Sequence, residues 1–345
     1  MSLVQMLMIG EDEGDQRIDR WMRRKFPQLS QIQIEKMCRK GEIRMDGKRV
    51  KSGDRTMPGL SLRVPPLPEE QLDYEPHVST ATQDDIEMIK DAVIFHDDHI
   101  IAINKPPGLP SQGGSGQGER HVDALCEFLK FGKPLAPNLV HRLDKDTSGV
   151  LLLARTSSMT RSLNEMFRGR DMRKIYWAAV AGEPKPVKGT IRYGLVKGGS
   201  PRDEKMIAVH PGKIESTEGA KRATTDYSTI DRLSTRMSWV ALQPMTGRTH
   251  QLRVHMAELG NPIIGDGKYG TMSQENLGDG WGAGIGGEIS KKLHLHARSL
   301  SFRHPVTKNL VTITADLPPH MEKTWKTVGW SPFDAPDDPF EYLRK

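Results

Sequence analysis

The sequence predicts an α+β protein in two parts. A small helix–helix–hairpin unit comes first, and a larger domain on a mixed, mainly antiparallel β-sheet follows. Three observations carry this expectation. Beyond residue 86 the strand-like segments outnumber the helical ones and are not spaced by the regular crossovers that a parallel sheet requires. At Pro65 the composition turns acidic and proline-rich, and residues 65–85 show neither helical nor alternating patterning, which marks an extended linker. Basic charge is concentrated before that stretch: residues 15–63 hold 14 Lys and Arg against 6 Asp and Glu, a net of +8, where the whole chain carries +6. A chain of 345 residues is long enough for two domains with at least one substantial core.

The first unit reads element by element. Ile18, Trp21, Met22 and Phe26 share one helical face, with Arg20, Arg23, Arg24 and Lys25 largely on the others, and Pro27 ends the run. Ser30 opens a second helix, with Gln33 completing a capping box, Ile34, Met37 and Cys38 as its apolar face, and Gly41 as its stop. "EIRMDGKRV" then reads as two short strands around Asp46-Gly47, a hairpin signal. This pattern over residues 15–64 resembles an S4 RNA-binding domain. The resemblance implies RNA contacts from the second helix and the hairpin, namely Arg39, Lys40, Arg44, Lys48 and Arg49. Composition by itself leaves open a solvated basic face on a purely structural unit.

The second domain, residues 86–330, opens with "AVIFHDDHIIAINKPPG", two strands around Asp97-Asp98. The Gly-rich "SQGGSGQGER" follows. Met159, Leu163, Met166 and Phe167 lie at helical spacing after a serine cap, and "RKIYWAAVAG" (173–182) reads as a strand. "MSWVALQP", "KLHLHARSLSFRHP" and "LVTITADLP" supply further strands, "THQLRVHMAELG" a helix, and residues 274–288 a surface loop. "LVHRLDKDTSGVLLLAR" (139–155) is unusual. Apolar strand-like ends flank a cluster of His141, Arg142, Asp144, Lys145 and Asp146 where a short turn would be ordinary, and the reading sets Asp144 at a strand end.

Composition narrows the function classes. Mean hydropathy is -0.56 and no run of 18 apolar residues occurs, so no transmembrane helix and no membrane partner are expected. The start lacks the basic region and cleavage site of a secretory signal. Cys38 and Cys126, far apart and outside any CxxC, offer neither a disulfide framework nor a thiolate metal site, which suggests a reducing cytoplasm. A pI near 9.2 points weakly to a polyanionic partner.

Four motifs, in order, then carry a resemblance. "HRLDKDTSG" (141–149), "RKIYWAAVAG" (173–182), "TGRTHQLRVHMAELGNPIIGD" (246–266) and "LHLHARSLSFRHP" (293–305) are similar to those of the RluA family of pseudouridine synthases. With the S4-like unit and "GGSG" at 113–116, the chain most resembles the RluC branch, which modifies uridines in large-subunit ribosomal RNA. The resemblance implies a pseudouridine synthase fold and an isomerisation that breaks an N-glycosidic bond, turns the uracil and rejoins it through carbon. That reaction is redox-neutral and needs neither metal nor organic cofactor.

The resemblance assigns the catalytic carboxylate to Asp144. Three roles stay open for it: addition to the base, attack on the sugar, or removal of a sugar proton. It assigns the cation that keeps this carboxylate ionised in a partly dry pocket to Arg253, with Arg248 as the next candidate. Tyr176 would stack on the uracil, since an aromatic face holds a base without sequence preference. Arg142 would fill the space left by a flipped-out uridine, whose unstacking costs a few kcal/mol. Taken singly, Arg253 would read as an ordinary surface arginine on a helix, and Tyr176 has the alternative of a strand tyrosine packed in the core. Thr147, Ser148 and Gly149 are expected to form the turn that fixes Asp144.

Other readings fit less well. "HRLDKD" lacks the direct His-Arg-Asp order of kinases and their Gly-rich loop, and "GGSGQG" lacks the P-loop lysine. His250, His255, His294 and His296 could imitate a metal cluster, but no carboxylate motif joins them. A zinc deaminase would need Pro-Cys-x-x-Cys. The remaining alternative is a non-catalytic RNA-binding or ribosome-assembly protein on a synthase scaffold. The expected partner is ribosomal RNA or a ribosomal precursor particle, and the expected state a monomer.

Overall fold

The computed structural model describes residues 4–10, 13–67, 81–113, 120–169, 171–198, 205–270 and 289–344. The Gly-rich loop beyond Gly113, most of the linker and the loop expected at 274–288 lie outside the described residues.

Residues 4–67 build strand β1 (Gln5–Met8), helices α1 (Ile18–Lys25) and α2 (Gln31–Lys40), and strands β2 (Arg44–Met45), β3 (Lys48–Arg49) and β4 (Ser61–Val64). The sheet order is β1-β4-β2-β3, antiparallel throughout. Ile18, Trp21 and Met22 of α1 meet Ile34 and Cys38 of α2 and Leu62 and Val64 of β4 in one core. Burying each of the larger aliphatic side chains stabilises the unit by about 1.5–3 kcal/mol. Ser30 and Gln33 make the reciprocal capping box, and α2 stops at Gly41 in the left-handed region. Asp46 and Gly47 both take positive φ, the geometry that suits the twist of a two-residue hairpin. Strand β1 was not foreseen. It is an edge strand whose Met6 and Met8 stay exposed, so it lacks a buried stripe to announce it.

The rest of the chain runs α3 (Gln83–Asp91), β5 (Val93–His96), β6 (Ile100–Lys105), α4 (Val122–Leu125), β7 (Asn138–Leu139), β8 (Ser148–Ala154) and α5 (Ser157–Gly169). It continues with β9 (Arg173–Ala181), β10 (Lys188–Lys197), β11 (Met206–Val209), β12 (Lys221–Leu233), β13 (Met237–Pro244) and α6 (Gln251–Glu258), then β14 (Leu295–Arg303), β15 (Leu310–Thr314) and α7 (Pro319–Val328). Helix α3 begins at Gln83, inside the stretch expected to be linker. Thr82 and Asp85 cap it reciprocally, a signal hidden by the acidic run in which they sit.

One sheet of eleven strands forms the body of this part, in the order β11-β10-β12-β13-β9-β14-β8-β6-β5, with β15 on β14 and β7 on β8. It is mixed and mainly antiparallel, as expected: the β8–β14 pair alone is parallel, through His296↔Ser148 and Ala297↔Gly149. Gly149 sits there with φ 107°, and a Cβ on it would lie 2.2 Å from the Ala297 carbonyl oxygen, so this close approach requires glycine. Strand β8 is apolar on successive residues because both its faces are covered. Val150 and Leu152 face α5 with Met159 and Leu163, while Leu151 and Leu153 face Ile89 of α3 and Val122 and Leu125 of α4. On the other half of the sheet, Leu252 and Met256 of α6 pack on Val180, Val240 and Leu242. That packing fixes the helix which carries Arg253.

Candidate active site

Asp144 lies in the loop between β7 and β8 rather than at a strand end. The apolar ends of this segment read as strands running up to the cluster, but β7 holds only two residues and β8 starts at Ser148. The turn consists of Asp144 to Thr147, closed by the Thr147 amide donating to the Asp144 carbonyl at 3.2 Å. Ser148 and Gly149, expected in the turn, already belong to the strand.

Several buried polar groups fix this loop. The Ser111 hydroxyl donates to the Leu143 carbonyl at 2.7 Å and accepts from the Leu143 amide at 3.0 Å. His141 Nε2 accepts from the Leu152 amide at 2.9 Å, and burial pushes this imidazole down to about 3, so it stays a neutral acceptor. Lys105, fully buried at the end of β6, donates from Nζ to the carbonyls of Pro106, Leu109 and Lys145 at 2.9, 2.8 and 3.0 Å. Three acceptors match the three protons of an ammonium. Burial pushes Lys105 down to about 7, against the pull of Asp146 and Asp144. Sequence reasoning passed over Lys105, because a lysine before Pro-Pro reads as surface; the apolar run of β6 leading into it was the available signal.

Arg253 is brought to Asp144. Its Nη1 donates to Asp144 Oδ2 at 3.3 Å, while Nε and Nη2 grip both oxygens of Asp266 at 2.8 and 2.7 Å. Arg253 is 6% exposed, so it is no surface arginine. Burial opposes its charge, but Asp266 and Asp144 outweigh that and hold its pKa above the ordinary value. Asp266 is likewise disfavoured by burial and rescued by Arg253 and by the amides of Lys268 and Tyr269, with a net lowering. The chain Asp144–Arg253–Asp266 thus holds a permanent cation against the carboxylate. Asp266 went unassigned in the sequence, although it closes the third motif.

Tyr176 is half-buried on β9 and lines the same cleft as Asp144; burial and the nearby Asp144 raise its phenol above the ordinary value. Arg142 is exposed on the rim, 3.5 Å from Gln112 Oε1. Arg248 also lines the cleft, but its Nε donates to the Arg222 carbonyl at 3.3 Å and no ion pair joins it to Asp144 among the described residues. Each of the four grouped histidines has a local partner: His250 Nδ1 meets the Tyr269 hydroxyl, His255 Nδ1 that of Thr225, His294 Nε2 that of Thr324 and His296 Nδ1 that of Ser148.

The cleft measures about 2280 Å³, well above the roughly 300–1,000 Å³ of small-molecule pockets. Sixteen Lys and Arg line it against five Asp and Glu, a lining that suits a polyanionic polymer. Its second wall comes from the N-terminal unit through Arg17, Arg20, Arg24 and Arg55. Arg39, Lys40, Arg44, Lys48 and Arg49 are exposed but do not line this cleft.

The fold is a mainly antiparallel sheet that sets a carboxylate loop against a buried arginine in a basic cleft, and residues 99–258 match the RNA pseudouridylate synthase family. The chain belongs to that family and is an RNA pseudouridine synthase. More narrowly, it is 34% identical over 328 residues to the ribosomal large subunit pseudouridine synthase C of Vibrio vulnificus (strain CMCP6), covering 95% of this chain and 98% of that protein. It is 33% identical over 318 residues to the protein of that name from Escherichia coli (strain K12), covering 91% and 93%. The solved structure of human RNA Pseudouridylate Synthase Domain Containing 4 is similar at a TM-score of 0.57 and 30% identity, over 71% of this chain and 95% of that one. These relatives agree with the RluC-like resemblance.

Proposed function

We propose that this enzyme isomerises specific uridines of large-subunit ribosomal RNA, with Asp144 as the catalytic carboxylate, Arg253 as its cation and Tyr176 as the stacking face for the uracil. The observation that carries the reading is the Asp144–Arg253–Asp266 chain inside a basic cleft larger than small-molecule pockets usually are. All three routes open to Asp144 need a carboxylate oxygen, and Arg253 Nη1 lies 3.3 Å from its Oδ2. Arg142 takes the place of the uridine swung into the cleft, and Arg248 holds a phosphate at its rim. Residues 15–64 act as an S4-type RNA-binding unit. Its α1 side faces the RNA next to the target, and Arg39, Lys40, Arg44, Lys48 and Arg49 bind more distant phosphates. The enzyme works as a monomer on ribosomal RNA or a precursor particle in the cytoplasm, without metal or organic cofactor. No helix of the described residues is long and apolar enough to cross a membrane.

The test is to map pseudouridine in ribosomal RNA from cells lacking the gene, and again after returning either the native protein or Asp144→Asn. Sites lost on deletion should return with the first and not with the second. An unchanged map in the deleted strain would refute the reading.

A further inference from the structure

His250 lies beside Asp144 with no role in the mechanism described so far. Its Nε2 is 3.7 Å from Asp144 Oδ2, the same oxygen that Arg253 contacts at 3.3 Å. No hydrogen bond among the described residues reaches Asp144 Oδ1. The other face of the imidazole is tied down, with Nδ1 2.8 Å from the Tyr269 hydroxyl. That hydroxyl in turn accepts from the Met206 amide at 2.8 Å.

We propose that His250 is a positioning residue for Asp144: Tyr269 locks it in the Nε2–H tautomer, and with Arg253 it holds Oδ2 so that Oδ1 is left for the uridine. The inference rests on the assignment of Asp144 as the catalytic carboxylate.

Two arguments fix the tautomer. A phenol has one proton and accepts at its oxygen lone pairs. With the Met206 amide already donating to Tyr269, giving the phenol proton to Nδ1 satisfies both groups, whereas a proton on Nδ1 would leave the phenol's own proton without the imidazole acceptor in a buried site. At the other end, an Nε2–H presents a donor to the carboxylate, while the opposite tautomer would set a lone pair against it. The imidazole is also kept neutral: burial lowers its pKa, helped by Arg253 and Lys268 and opposed by Asp144 and Asp266. The backbone agrees. His250 sits in the left-handed region at φ 52°, ψ 17°, just before α6. This conformation is uncommon for a side chain with a Cβ, and the contacts of the ring with Tyr269 and Asp144 accompany it. At 3.7 Å the Nε2 contact is longer than a hydrogen bond, and such contacts can tighten once a substrate fills the site.

The experiment uses the purified full-length enzyme on a uridine-containing ribosomal RNA fragment, with single-turnover rates at saturating enzyme and RNA affinity measured separately. His250→Leu should slow the chemical step about tenfold or more with little change in affinity. His250→Gln, which keeps an amide donor near the Nε2 position, should recover most of that loss. His250→Asn, whose amide stops short, should not. Tyr269→Phe should slow the native enzyme but have little further effect when combined with His250→Gln, because an amide has no tautomer to lock. A native rate in His250→Leu, or an equal Tyr269→Phe loss in both backgrounds, overturns the inference. If His250→Leu does not fold, equal rates for the Gln and Asn variants overturn it as well. Asp144→Asn runs alongside: turnover there removes the assignment of Asp144 itself, whereas a dead Asn variant beside a fully active His250→Leu removes His250 alone.

Discussion

Asp144 and Arg253 touch, yet their substitution should give different signatures. Asp144→Asn keeps the shape and removes the charge, so turnover should vanish while RNA affinity stays within about twofold, since the cleft's phosphate contacts persist; filter binding and pseudouridine mapping on one preparation check both. Arg253→Met should abolish activity and also destabilise the fold. It strands Asp266, whose side chain is 0% exposed, and an uncompensated buried charge costs about 3–5 kcal/mol. The pH dependence of that loss has a definite sign. In the native enzyme Asp266 is held below its ordinary 3.8, so its stabilising effect is present above that value and fades as pH falls through the lower folded one. Without Arg253 burial raises its folded pKa, the folded state binds the proton more tightly, and acid favours it. Thermal unfolding of the two proteins should therefore differ most near neutral pH and converge as pH is lowered toward 5; a constant gap would contradict the role of Asp266. The placing of Asp144, Tyr176 and Arg253 in one cleft was legible through motif resemblance. Asp266, Lys105 and the His250–Tyr269 pair were not, because their roles depend on partners that only the folded chain brings near, such as Lys105 on the Lys145 carbonyl.

At the scale of elements, the two helices of the N-terminal unit present different faces. Arg20 and Arg55 line the cleft with α1 and the loop before β4, while Arg39 and Lys40 end α2 outside it. Reversing Arg20 and Arg55 to Glu should weaken binding even of a short RNA that only fills the cleft, and should lower the salt slope by about 1.4–1.8, the release expected for two phosphate contacts. Reversing Arg39 and Lys40 should matter only on a long fragment. A salt series with both RNAs measures the difference, and equal effects on the short RNA would contradict the division. Elements with a continuous or one-sided apolar run were readable in advance: α1, α2, β6, β8 and β13 all fell where expected. Strands β10 to β12 did not. "KGTIRYGLVK" and "KRATTDYSTIDRL" bury only scattered apolar residues such as Ile191, Leu195, Ala223 and Tyr227 among polar ones, which leaves little hydrophobic period to read.

For the whole molecule, the N-terminal unit has its own core and meets the catalytic part through contacts such as Gln16 Nε2 to Ser157 Oγ at 3.3 Å and Asp15 to Arg161 at 3.4 Å. An exposed ion pair such as Asp15–Arg161 contributes at most about 1 kcal/mol. Deleting residues 1–80 should therefore spare the chemical step at saturating RNA while raising KM and flattening the salt dependence; a collapse of kcat in a folded truncation would contradict it. The larger sheet has a comparable division within it. The carboxylate loop is carried by the strands from β5 to β8, Tyr176 by β9 and Arg253 by α6 on the far half, and β8 meets β14 through only two residue pairs. That seam is a gauge block one hydrogen atom thick: the missing side chain at Gly149 is what lets β8 and β14 close to this spacing. A methyl group there would strike the Ala297 backbone and wedge the two halves apart.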